Sequence, residues 1–226
     1  MVRNQVSRRR LDVPAAGVEL EGHLAIPAGA RGAAVLAHGP GRGRYSPRER
    51  YLSGVLQGAR IATLLIDLLT EDEQRLDLLT GAYRLDAELQ GARLRGALDW
   101  LVGRLPVRRF ALLGAGPAAA AAVVASIPRR SEVCALVLRG GSTEAVERLL
   151  PLVGAPTLLI AGGQDPRVVR ESRRACEALT VPHRLRVLPG VCSFREPRAM
   201  EETARLTRDW CLEHLPTRVG IQRVGS

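Results

Sequence analysis

A stretch near the middle of the chain, "RRFALLGAGPAAAAAVVASIP" at residues 108–128, carries the clearest suggestion of chemistry. It predicts a short apolar strand, a glycine-containing turn and an alanine-rich helix that ends before Pro128. This layout is typical of a nucleophile elbow, in which a G-x-S-x-G turn holds a reactive serine above a parallel sheet. In this register the nucleophile's position is Gly116, so the turn is present without its reactive side chain.

The residue after the nucleophile matters as well, because its backbone N–H normally stabilises the oxyanion that forms during acyl transfer. Here that residue is Pro117, which has no N–H. Loss of one such donor costs roughly 3 to 4 kcal/mol of transition-state stabilisation, about 100- to 1,000-fold in rate. Glycine accepts the positive φ of the turn, and proline suits the start of a helix. We therefore interpret Gly116 and Pro117 as residues of a structural turn.

The segments around this turn alternate between strand and helix patterns. Short apolar runs, typical of strands buried on both faces, lie at 33–37, 61–66, 110–113, 133–138, 156–160 and 183–188. Helical patterns lie at 47–59, 82–104, 117–127, 143–151, 167–179 and 197–215. Residues 18–25 alternate as an antiparallel edge strand does, and the acidic run 71–73 is interpreted as a solvated loop.

This order predicts a single α/β domain at residues 1–215, with a mostly parallel central sheet, helices on both faces and no lid domain. Residues 216–226 are predicted to be a disordered tail. In such a sheet, ligands bind outside the carboxyl ends of the strands. The loops at that edge are 38–46, 114–117, 139–143, 162–166 and 190–197.

In that order, these loops resemble the dienelactone hydrolase group of the α/β-hydrolase superfamily. The resemblance covers residues 11–215 and rests on "LAHGPGRGRYSPRERYL", "ATLLIDLLT", "ALDWL", "APTLLIAGGQDP" and "LPGVCSFREP". It implies a hydrolase of esters or lactones built on a triad of Ser or Cys, His and Asp. Some relatives of this kind are joined to a phosphoribosyltransferase domain, for which these 226 residues show no counterpart.

Carried over residue by residue, the resemblance keeps only the acid. Asp165 in "GGQDP" takes the acid's position, and Gly116 takes the nucleophile's. The histidine is expected within "GVCSF", which is one residue short and offers Ser193 in its position and Cys192 beside it. Without a histidine to orient, Asp165 is expected to cap the helix that follows it. Cys192 is interpreted as a small buried thiol, since only Arg195 is near in sequence to lower its pKa.

Composition narrows the class of protein. The formal net charge is +10, but all 33 basic residues are arginines spread along the chain, and aromatic residues make up only 3%, which argues against nucleic-acid binding. The four cysteines form no C-x-x-C pair, and no histidines stand at metal-ligand spacing, so neither a metal nor a cofactor is predicted. No apolar run reaches the roughly 18 residues of a membrane span, and a soluble cytoplasmic protein is expected.

These features together predict a pseudo-hydrolase that has lost its activity and has a binding, regulatory or scaffolding role. An active ester or lactone hydrolase, or a lyase, that uses Asp165 with Cys192 or Ser193 stays open as the alternative. A protein partner or a homo-oligomer also stays open. If the pocket binds a ligand, a small anion is expected. The candidate binding residues are His38, Gly39, Arg42, Arg44, Arg139 and Arg195.

Overall fold

The computed structural model describes residues 5–38, 43–141 and 143–215. Its eight-stranded sheet has the order β1-β2-β4-β3-β5-β6-β7-β8. The strands β1 to β8 are Val6–Ala15, Val18–Pro27, Gly32–His38, Ile61–Asp67, Phe110–Ala115, Val133–Arg139, Thr157–Gly162 and His183–Leu188. The first two form an antiparallel hairpin that joins β4 through β2, and the neighbours from β4 to β8 pair in parallel. The expected mostly parallel sheet is confirmed.

Helices cover both faces of this sheet. The helices α1 to α7 are Pro47–Gly58, Glu71–Thr80, Ala82–Leu85, Ala87–Val102, Ala118–Ser126, Pro166–Ala178 and Pro197–His214. Side chains of α4, α5 and α6 belong to one apolar core, whereas α1 and α7 pack into the core on the opposite face. None of the helices in the described part of the chain is long and apolar enough to cross a membrane.

The amino-terminal hairpin differs from the sequence prediction. Strand β1 pairs with β2 along its whole length, although its three consecutive arginines do not resemble a strand core. Residues 18–25 are therefore an interior strand and not an edge strand, so that prediction is wrong. The prediction of a buried strand at 183–188 is also wrong, because β8 is the other edge of the sheet and most of its residues are exposed.

Two helical regions also differ from expectation. The acidic run 71–73 is the first turn of α2 and not a loop: Glu73 N donates to Thr70 Oγ1 at 3.3 Å, and Thr70 N donates to Glu73 Oε2 at 2.9 Å. This capping box pairs two N–H groups that the helix leaves unbonded. The segment 82–104 divides at Asp86, whose side chain accepts from Leu89 N at 2.8 Å and starts α4.

The predicted helix at 143–151 is a 3-10 helix, Glu144–Leu152, which is irregular at Val146 and contains Pro151. Proline explains the departure from α-helix, because its ring removes an N–H donor and crowds the preceding turn. The remaining helices begin and end within a few residues of the predicted bounds. Residues 216–226, the predicted tail, lie outside the described residues.

The alanine-rich sequence of α5 follows from where this helix lies. All nine of its residues are buried between the sheet and α4. A Cβ added to Gly114 in β5 would lie 2.7 Å from Ala119 Cα, so strand and helix are in backbone contact. Only small side chains permit such an approach, and the elbow between β5 and α5 is held rigidly as a result.

Candidate functional site

The turn between β5 and α5 has the backbone of a nucleophile elbow. Gly116 lies at its apex with φ +55°, and its N–H donates to the carbonyl of Arg139 at 2.9 Å. A Cβ added at Gly116 would have no heavy atom within 4 Å, whereas glycines inside the sheet would clash. The apex therefore faces open space and carries no side chain.

Pro117 follows the apex, in the position where the sequence pattern predicts an oxyanion donor. Its φ of −56° and ψ of −33° are helical, and its carbonyl accepts from Ala120 N at 3.3 Å. The backbone conformation of Pro117 therefore suits the start of a helix. Because proline has no backbone N–H, this residue cannot donate a hydrogen bond to an oxyanion.

A cleft of about 550 Å³ opens beside the apex, which we call the elbow cleft. Its volume suits a small molecule. Three carboxylates and two arginines line it, so it lacks the excess of positive charge expected at this edge of the sheet. Its charged residues and the turn residues beside them are Arg84, Glu144, Asp165, Arg167, Glu171, Pro117 and Gly140.

Asp165 caps α6, as the sequence predicts. Its Oδ1 accepts from Arg167 N at 3.0 Å and from Val168 N at 3.3 Å. Both bonds use the same oxygen, and no donor among the described residues reaches Oδ2. Asp165 is therefore a structural cap that still presents one carboxylate oxygen at the elbow cleft.

The loop that is expected to carry the histidine runs close to the acid loop. Gln164 N donates to the carbonyl of Val191 at 3.1 Å, which ties the two loops together. The carbonyl of Ser193 accepts from Arg48 Nη1 at 2.7 Å. Cys192 is exposed, so its interpretation as a buried thiol is wrong. Of the described residues that line the elbow cleft, none is Cys192 or Ser193.

The ring that approaches the elbow from this loop belongs to Phe194. A Cβ added to Gly140 would lie 3.9 Å from both Gly116 N and Phe194 Cε2. Phe194 is buried, has φ +57°, and stacks 5.8 Å from the guanidinium of Arg139. A phenyl ring neither accepts nor donates a proton, so this side chain supplies no general base.

Beneath the elbow lies a buried ion pair between Arg139 and Glu49. Burial opposes ionisation of Glu49, but the charges of Arg139 and His38 outweigh it and hold the pKa of this carboxyl below its ordinary value. Glu49 is a residue that the sequence prediction missed. Its partner is 90 positions away, and no local pattern joins the two.

Arg44 is likewise engaged inside the protein. Its guanidinium pairs with the carboxylates of Asp67 and Glu21, and its backbone N donates to Asp67 Oδ1 at 3.2 Å. Asp67 ends β4 and also holds this arginine. His38 ends β3 and packs against Gly43 so closely that a Cβ there would overlap its ring.

The structure therefore divides the predicted anion-binding residues into three groups. Arg44 and Arg139 are buried and neutralised by carboxylates. Arg195 is exposed and has no carboxylate partner among the described residues. Gly39 and Arg42 lie outside the described residues. The described ranges contain no group of three or more His, Cys, Asp or Glu side chains that could hold a metal ion.

Comparison with solved structures supports this reading of the fold. A crystal structure described as dienelactone hydrolase from Anabaena variabilis is 41% identical, with a TM-score of 0.88, and the match covers 94% of this chain and 100% of that one. The chain belongs to the dienelactone hydrolase family. Est1E from Butyrivibrio proteoclasticus shares the fold at 14% identity, with a TM-score of 0.74 over 90% of this chain and 98% of its own. The expected α/β-hydrolase fold is thus confirmed.

Two curated relatives from Mycobacterium tuberculosis strains carry the name "Putative phosphoribosyl transferase". Each is 41% identical over 211 residues, which is 91% of this chain but 46% of the relative. This member of the dienelactone hydrolase family therefore spans about half the length of the curated relatives it matches. No family model matches the sequence.

Proposed function

We propose that this chain is a binding member of the dienelactone hydrolase family that does not hydrolyse esters or lactones. The observation that carries the proposal is the elbow, where Gly116 holds the apex in an open, correctly shaped turn. A triad enzyme needs its nucleophile within reach of a base, and a weak nucleophile without one does not react. Here the position has no side chain to activate.

The surroundings of the apex support the same proposal. Pro117 withholds one oxyanion donor, and Phe194 approaches from the loop in which a histidine is expected. Asp165 is committed to capping α6. The changes at the elbow and in the loop of Phe194 are independent, so restoring one of them leaves the other requirement unmet.

The elbow cleft remains suited to binding a ligand. It is open, holds about 550 Å³ and has the apolar side chains of Leu85, Ala87 and Ala145 beside its charged groups. A regulatory or scaffolding role fits a cleft that recognises a small molecule without transforming it. Its carboxylates favour a ligand that is neutral or carries a hydrogen-bond donor.

Turnover of short p-nitrophenyl esters and of a dienelactone by the purified full chain tests this proposal. We expect rates at the level of buffer for the wild type and for Gly116→Ser, because a serine without a base is a weak nucleophile. The combination of Gly116→Ser, Pro117→Thr and Ser193→His is expected to give trace activity.

The controls are Cys192→Ala and Asp165→Ala. Wild-type turnover well above buffer that disappears in either control would establish the alternative, an active hydrolase or lyase that uses Asp165 with Cys192 or Ser193. Robust activity of Gly116→Ser alone would reveal a base near the apex and overturn the proposal in the same way.

A further inference from the structure

A second cleft, of about 680 Å³, lies against the part of the sheet formed by β2 and β4. Strand β1 forms one wall, and α1 together with the 3-10 turn before it forms the other. We call it the arginine cleft and define it by Arg8, Arg10, His23, Tyr45, Arg50 and Tyr51. No acidic side chain is among the described residues that line it.

The pairing of β1 with β2 places two of these arginines together. Arg8 lies opposite Ala25 and Arg10 lies opposite His23. Because side chains alternate along a strand, both arginines are on the same face of the sheet. Arg8 Nη2 reaches across the cleft and donates to Gln57 Oε1 in α1 at 3.1 Å. The strand register and an uncharged hydrogen-bond partner, Gln57, therefore hold Arg8 in its position at the wall of the cleft.

The positive charge of the arginine cleft is only partly neutralised. Arg10 pairs with Glu21 at 2.7 Å, but the same carboxylate also pairs with the buried Arg44. Among the described residues, Arg8 has only the amide of Gln57 as a partner and Arg50 has no carboxylate partner. Some exposed arginines elsewhere pair with an acid one turn away, as Arg205 does with Glu202 at 2.6 Å.

Aromatic groups stand beside these cations. Tyr45 and Tyr51 are 40% and 42% exposed, and His23 packs edge-on against Tyr45 with ring centroids 5.4 Å apart. Burial lowers the pKa of His23, and Arg10 and Arg50 lower it further against the opposing charge of Asp67. The imidazole and the two tyrosines give the cleft aromatic surface that can contact a planar ring.

We propose that the arginine cleft is a binding site for a small organic anion that combines a phosphate or carboxylate group with a planar ring. The guanidinium groups of Arg8, Arg10 and Arg50 recognise the anion, since a planar fork donates two parallel hydrogen bonds. Tyr45 and Tyr51 receive the ring. This site is separate from the elbow cleft, shares no lining residue with it and does not depend on whether the elbow is inactive.

Isothermal titration calorimetry on the full chain at low salt tests the site. The ring-bearing anions are ADP, phenyl phosphate and benzoate, the neutral counterparts are adenosine and phenol, and pyrophosphate supplies charge without a ring. We expect at least one ring-bearing anion to bind about 10-fold or more tightly than its neutral counterpart and than pyrophosphate. Its affinity should fall as salt is added.

Two matched variants locate the binding. Arg50→Ala removes an arginine of the cleft that has no carboxylate partner, and we expect it to weaken binding about 10-fold. Arg173→Ala removes an exposed arginine from α6 and should leave the affinity unchanged. A thermal melt of each variant checks that both are folded.

Three outcomes would overturn the proposal: no ring-bearing anion binds, neutral and anionic compounds bind equally, or Arg173→Ala weakens binding as much as Arg50→Ala. In each case the arginines of β1 would serve only to keep an edge strand from pairing with another chain, a role that charged side chains commonly have.

Discussion

The elbow cleft and the arginine cleft differ in how far carboxylates neutralise their arginines. Around the elbow, arginines are paired with acids: Arg139 with Glu49, and Arg167 with Glu171 at 2.9 Å. In the arginine cleft, Arg8 and Arg50 lack acidic partners among the described residues. The contrast shows that a net charge of +10 says little about any one surface, because burial and pairing decide which arginines remain available.

The largest effect on stability is expected at the buried ion pair between Arg139 and Glu49, beneath the elbow. Glu49→Ala leaves the guanidinium of Arg139 buried without its partner, which should lower the free energy of unfolding by about 3 to 5 kcal/mol. Urea denaturation measures the loss. The double variant Glu49→Met with Arg139→Met is the control, and it should be closer to wild type because neither charge remains buried. An equal loss in both would show that packing, and not charge, dominates here.

Substitutions of two glycines in the elbow compare the contributions of close packing and of backbone conformation to its stability. Gly114→Ala forces a methyl group against the backbone of α5 and should destabilise by roughly 1 to 3 kcal/mol. Gly116→Ala enters open space at positive φ and should cost about 1 kcal/mol. Thermal melts of the two variants give the order. The reverse order would mean that strain at the apex exceeds the packing of strand on helix.

Asp165 distinguishes a structural cap from a residue of the site. Asp165→Ala removes the acceptor for Arg167 N and Val168 N and should destabilise the protein by about 1 kcal/mol. Asp165→Ser keeps a capping oxygen and should recover most of that loss. Failure of serine to recover stability would assign Asp165 a role beyond the cap.

The smallest effect concerns His23 in the arginine cleft. Its pKa is lowered in the folded protein, so the unfolded chain takes up this proton first as the pH falls. Stability should therefore decrease when the pH drops below about 6.5, the ordinary value for histidine. His23→Gln should show a smaller decrease of Tm between about pH 7 and 5. Identical pH profiles would indicate that burial and the surrounding arginines do not lower the pKa of His23.

Much of the fold follows from short-range patterns. Five of the six parallel strands, β3 to β7, are largely apolar runs, and Asp165 before Pro166 is a recognisable helix start. The sequence does not predict strand β1, because "VSRRRLDVPA" has charged residues where a buried strand has apolar ones. Backbone hydrogen bonds to β2 stabilise β1 in place of apolar side-chain packing. In β1, hydrogen bonding to β2 therefore outweighs the low strand propensity of the sequence.

Only part of the candidate site could be predicted in this way. Motif spacing along the chain is enough to predict Gly116, Pro117 and Asp165 as candidate site positions. The pairing of Arg139 with Glu49, and of Arg44 with Asp67, joins residues far apart in sequence, and only the folded sheet brings them together. Charge counts in loops therefore overstated how many arginines are free to meet a ligand.

The backbone contact between β5 and α5 has an evolutionary consequence. Because the contact involving Gly114 holds the turn in place, a mutation at codon 116 changes the reactive group without disturbing its scaffold. The loop of Phe194 adds a second requirement, since the sequence prediction makes it one residue shorter than the family pattern. A return to triad chemistry would therefore need changes at Gly116, at Pro117 and in that loop.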